Sequence, residues 1–126
     1  MNQEYEQASL DVYKSFIDDL VDIRPGVLTL WAESKGWPKT EENAKFNSFL
    51  SELTQEQRAI LAMMIQQSRD GGIHDVLAYL SEETNLNGLK IMKNDVEMSV
   101  EPFGTQLYFD WVCRREGDDW PDSRHD

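Results

Sequence analysis

Leu10, Tyr13, Ile17, Leu20 and Val21 stand three and four residues apart with Phe16 beside them, a spacing that predicts an amphipathic helix from about residue 6 to 22. Pro25 fits the first turn of a second helix carrying Val27, Leu28, Leu30 and Trp31. Lys35-Gly36-Trp37-Pro38 reads as its stop, with Gly36 left-handed and Trp37 folding back on Ala32 or Trp31. Thr40 is placed to cap a third helix. Glu41 and Glu42 would sit at its positive dipole end, and Phe46, Phe49, Leu50 and Leu53 on its apolar face.

The next segment carries the strongest signal. Thr54 and Gln57 have the spacing of a capping box, each side chain able to satisfy the other's backbone N–H. Behind them Ala59, Ile60, Leu61, Ala62, Met63, Met64 and Ile65 are apolar on every side. That predicts a central helix over about 54–70, covered by partners around most of its circumference. Gly71 suits a left-handed helix stop and Gly72 a turn, after which Ile73, Val76, Leu77 and Leu80 resume helical spacing. The expectation is a helical hairpin broken at the two glycines.

After Asn87-Gly88 the period changes to two. With Asn94-Asp95 as a two-residue loop, Lys93 faces Val96, Ile91 faces Met98 and Leu89 faces Val100, and every large apolar residue but Met92 falls on one face. Glu101-Pro102-Phe103-Gly104 ends the hairpin, and Thr105 is placed to cap a last helix through Leu107, Tyr108, Trp111 and Val112. A third strand is the alternative there, since Leu107, Phe109, Trp111 and Cys113 also alternate. The fold class read from the chain is mainly α with a small β-hairpin (α+β). Five to six helices would surround the apolar one, with the hairpin at about 89–100. Residues 1–117 would make one domain, and 118–126 an acidic, mobile tail apart from Trp120.

Three stretches, Trp31-Ala32-Glu33-Ser34-Lys35-Gly36-Trp37-Pro38, Asp70-Gly71-Gly72-Ile73-His74-Asp75 and Glu101-Pro102-Phe103-Gly104-Thr105, resemble the pattern of a small bacterial family classed only as a domain of unknown function. The resemblance covers nearly the whole chain. These motifs are structural punctuation, and the resemblance implies no activity for any residue.

A chain of 126 residues suits a single core. Twelve Lys plus Arg against 24 Asp plus Glu give a net charge of −12, which repels nucleic acid and anionic membrane and allows a basic protein partner. Roughly 290 Å² of surface per acidic group, against about 100 Å² per phosphate on DNA, argues against whole-surface DNA mimicry. Met1 to Glu6 hold no secretory signal, and no apolar run approaches the roughly 18 residues of a membrane span, so a soluble cytoplasmic protein is expected. Cys113 is the one cysteine, too few for an internal disulfide or a zinc framework.

No catalytic or cofactor motif stands out, so a non-catalytic protein-contact module, as a homodimer or as the partner of a basic protein, is the leading expectation. The rival is a small enzyme or metal binder centred on His74 with Asp70 and Asp75, at a helix start whose N–H groups would also hold an anion. Asp11, Asp18 and Asp22 share a flank of the first helix. Asp18 and Asp22 repel unless a cation or basic partner intervenes, though a solvated helix face is the plainer reading. Trp31, Trp37, Trp111 and Trp120 are many indoles for one small chain, and any left exposed would be interface anchors. Trp120, in an acidic tail, must fold back or meet another chain. Cys113 reads as a small hydrophobe, not a nucleophile.

Overall fold

The stripe on the first helix buries as its spacing requires: α1 spans Gln3–Asp22 and hides Ser9, Leu10, Tyr13 and Ile17. The computed structural model describes residues 3–121. They divide into two units, one made of the chain up to Ile23 with everything from His74 on, the other of Arg24–Ile73.

In Arg24–Ile73, α2 (Val27–Leu30) runs on as a π-helical turn over Trp31–Lys35. It begins two residues after Pro25, and its N-cap is Gly26. The stop forms as expected. Gly36, at φ +79°, donates its N–H to the Trp31 carbonyl at 2.7 Å, and the Trp37 ring lies 5.8 Å from that of Trp31. A Cβ at Gly36 would sit 2.9 Å from Asn47 Oδ1, which accepts the Trp37 N–H, so both the φ and the close approach call for glycine. α3 spans Ala44–Ser51, later than expected. Thr40 instead opens a turn closed by the Asn43 N–H, and no side chain caps the helix. Of its expected apolar face Leu50 is buried, whereas Phe46 and Phe49 are exposed.

The capping box at Thr54 is real: Gln57 N–H donates to Thr54 Oγ1 at 3.1 Å and Thr54 N–H to Gln57 Oε1 at 2.9 Å. From it α4 runs as one helix from Gln55 to Leu86 without a break, and the expected hairpin at the glycines does not form. Neither Gly71 nor Gly72 has the positive φ of a helix stop. A glycine weakens a helix by about 1 kcal/mol relative to alanine, too little to end a helix held by packing on both sides of the pair. Four helices of eight or more residues therefore stand among the described residues, where five to six were expected. α4 is also not the covered central helix: Ala62 is buried, but Ile60, Met63 and Met64 are exposed.

In the other unit the hairpin keeps its expected register. β1 (Met92–Lys93) pairs antiparallel with β2 (Val96–Glu97), Lys93 opposite Val96 and Met92 opposite Glu97, and Met98 N–H donates to the Ile91 carbonyl at 2.7 Å. Asn94 and Asp95, at φ 52° and 65°, take the two left-handed positions of a type I′ turn. The ladder stops before Leu89 and Val100, which are exposed. α5 (Leu107–Arg115) settles the last segment as a helix and not a third strand. α1 packs against α5 and β2 around Leu10, Tyr13, Ile17, Met98, Phe103, Leu107 and Trp111, with Leu77 contributed by α4. That class, mainly helical with a small antiparallel hairpin, is the one the chain predicted.

Candidate functional site

Asp110 points inward from α5 and is only 4 % exposed. Its carboxylate accepts the hydroxyl of Tyr13 from α1 and, at 2.5 Å, that of Thr105 from the turn before α5. Thr105 thus holds Asp110 and does not cap the helix, whose N-cap is Gln106. Burial pushes the Asp110 carboxyl above its usual range, with the two hydrogen bonds opposing it. Burial also pushes the Tyr13 phenol far up, and the bond to Asp110 and the charges of Asp110 and Glu101 add to this. Tyr13 stays protonated and acts as a donor. With an acceptor engaged by two donors from separate elements, the cluster ties α1 to the start of α5.

Beside it lies a cavity of about 300 Å³, lined by Phe103, Phe109, Cys113, Arg114, Trp120 and neighbours. Trp120 folds back. Its ring stacks on Phe103 at 5.6 Å and meets the edge of Tyr13 at 6.1 Å, and its Nε1–H donates to Asp18 at 3.2 Å. Arg114 lies 4.8 Å from the indole and Lys14 5.9 Å, so cations of the chain already occupy its faces. Asp18 also takes both arms of Arg114, at 2.8 and 3.2 Å. That pairing removes Asp18 from the expected acidic flank, where Asp11 and Asp22 remain exposed and Asp11 accepts Gln7 Nε2. Burial, then the carboxylates of Asp118 and Asp110, push the Cys113 thiol up, which makes it a poor nucleophile. The rest of the expected tail, residues 122–126, lies outside the described residues.

His74, Asp70 and Asp75 share α4 but not a helix start, because the helix runs through them and leaves no free N–H groups for an anion. Asp70 binds Arg24 at 2.8 and 2.9 Å and accepts Gln66 Nε2, the His74 ring packs 4.8 Å from Tyr108, and Asp75 is exposed. Among the described residues no three His, Cys, Asp or Glu are grouped to hold a metal ion.

Large apolar side chains stand exposed in both units, Val76, Tyr79, Leu86 and Phe109 among them in the one and a further set in Arg24–Ile73. Val27, Leu28 and Leu30 of α2, Phe46 and Phe49 of α3, and Ile60, Met63 and Met64 of α4 are all exposed, from 40 to 70 %. A cavity of about 300 Å³ between α2 and α4 is lined by Gly26, Leu28, Thr29, Ile65, Ser68 and Arg69. The backbone there is close: a Cβ at Gly26 would lie 2.5 Å from Arg69 Cδ. The sequence showed the apolar residues but not their exposure. Its one usable signal was a helix apolar all round in a chain too short to wrap it.

A model of a family of unknown function, DUF6547, matches residues 6–122. The chain belongs to that family. No curated protein and no solved structure matches it. No helix among the described residues is long and apolar enough to cross a membrane. Membership of DUF6547 brings no activity with it, and the functional reading rests on the chain's own surfaces.

Proposed function

We propose that the protein is a non-catalytic module that works by protein contact. The observation that carries this is the exposed apolar surface of the chain: 17 large apolar side chains among the described residues stand exposed, eight of them in Arg24–Ile73 with Met63 at 70 %. The polar chemistry supports it from the other side. Asp110, Asp18 and Asp70 each hold partners within the chain, and Trp120 serves the core instead of a docking tail.

Photo-crosslinking benzoylphenylalanine placed at Met63 or Phe49 in the native host tests this. Protein adducts should form at both sites and be absent at Asp95, on the exposed hairpin turn. Absence of adducts at Met63 and Phe49 alike rejects protein contact as the role of this surface.

A further inference from the structure

A second cavity within Arg24–Ile73, of about 410 Å³, is lined by Lys35, Trp37, Lys39, Thr40, Ala44 and Asn47. Small-molecule sites run from about 300 to 1,000 Å³, so it has room for one modest ligand. Its walls are fixed before anything binds. Asn47 clamps Trp37 from both sides, accepting its N–H at 2.9 Å and donating Nδ2–H to its carbonyl at 3.0 Å. The Pro38 carbonyl accepts the Thr40 N–H at 2.8 Å and Asn43 Nδ2–H at 2.9 Å, and the Thr40 carbonyl accepts the Asn43 N–H at 3.1 Å. A loop pinned in this way has little ordering left to lose on binding.

The charge on those walls has one sign. Elsewhere in Arg24–Ile73, Arg24 holds Asp70, Arg58 holds the carbonyls of Ala32 and Trp31, and Lys45 lies over the Phe46 ring at 5.4 Å. Lys35 and Lys39 are exposed, and neither is in an ion pair among the described residues. Both line this one cavity. Glu41 and Glu42 follow Thr40 but are not part of the lining, and they too pair with no cation among the described residues. Ala44 opens α3, and no side chain caps that helix, so its positive end adds to the field of the two lysines.

Trp37 supplies the apolar wall. Its half-buried ring is held by Trp31 at 5.8 Å and Phe46 at 5.6 Å. An ammonium group meets an anion as a point charge and takes carboxylate or phosphate alike, whereas an indole favours a flat apolar body. We infer that this cavity binds a small organic anion, its carboxylate or phosphate held by Lys35 and Lys39 and its ring-bearing body resting on Trp37. The Thr40 hydroxyl is a further donor to the same acid group. Binding there needs no protein partner, so the site stands apart from the contact proposed above.

Nitrogen-15 correlation spectra of the full chain, titrated in about 50 mM NaCl with adenosine monophosphate, phenylpropionate, inorganic phosphate and uncharged adenosine, test the site. At least one of the two ring-bearing anions should shift the Trp37 indole N–H and the backbone of residues 35–40 saturably, with a dissociation constant below about 1 mM. The tighter of the two identifies the acid group that the lysines take. Inorganic phosphate and adenosine each offer half of the required chemistry, and each should bind at least about tenfold more weakly than that anion. Lys35→Gln and Lys39→Gln, both at exposed positions, should each weaken it roughly tenfold and leave the rest of the spectrum unchanged. Equal binding of adenosine would remove the lysines from the site, and equal binding of inorganic phosphate would remove Trp37. Either result overturns the inference, as does an unchanged affinity in both glutamine variants or the absence of saturable shifts with either ring-bearing anion up to about 5 mM.

Discussion

Tyr13 and Asp110 are 97 positions apart, and nothing in the spacing of either announces the other. Tyr13 was legible as one of a helical stripe, Asp110 only as a charge on a stretch that fitted helix or strand. Their contact arises from the packing of α1 on α5, which no local pattern encodes. Tyr13→Phe removes one donor and leaves a buried carboxylate short of a partner, so it should lower stability by about 1 to 3 kcal/mol in urea melts. Asp110→Asn carries a pH signature. Burial raises the folded-state pKa of Asp110 above its ordinary value, so the native chain binds the proton more tightly than the unfolded one. That contribution is full below the unfolded value and is lost as pH rises through the folded one. Asparagine does not titrate. The wild-type lead over Asp110→Asn should therefore be larger near pH ~3.5 than near pH ~7, and a lead that grows with pH would mean that the carboxylate form is the one the fold favours.

At the scale of elements, the punctuation with a local hydrogen-bonding mechanism was legible. The Thr54–Gln57 box, the Gly36–Trp37 stop and the Asn94-Asp95 register all depend on side chains within a few residues of one another. Gly71-Gly72 was misread because a glycine's helix preference is weak and neighbours decide it. Since α4 continues through the pair and a Cβ there meets open space, Gly71→Ala and Gly72→Ala should each raise stability by roughly 0.5 to 1 kcal/mol in urea melts. A loss at either site would show that the backbone there departs from a regular helix. The hairpin gives a contrast between adjacent residues. Ile91 is half-buried on the side of Met98, and Met92 is exposed opposite Glu97. Ile91→Lys should cost about 1 to 3 kcal/mol, whereas Met92→Lys should be within about 0.5 kcal/mol of wild type. Equal losses in thermal melts would mean that Met92 is not the outward residue.

For the whole molecule the distribution of charge decides more than its sum. The figure of −12 suggested a basic partner, yet all of it belongs to the unit outside Arg24–Ile73, whose six Lys or Arg balance six Asp or Glu. Composition alone could not separate the two, because only the fold says which residues belong to which unit. The two units call for partners that respond to salt differently. A basic protein attracted by exposed carboxylates such as Asp11 and Asp22 would associate more slowly as ions screen the attraction over ~8 to 10 Å at physiological strength. A protein that binds through Arg24–Ile73 instead meets a unit with no net charge to steer it. For any partner crosslinked at Met63 or Phe49, the association rate should therefore change little between about 50 and 500 mM NaCl. A rate that falls steeply as salt rises would place the carboxylates outside Arg24–Ile73 in the contact, and the apolar side chains around Met63 would then not be what selects the partner.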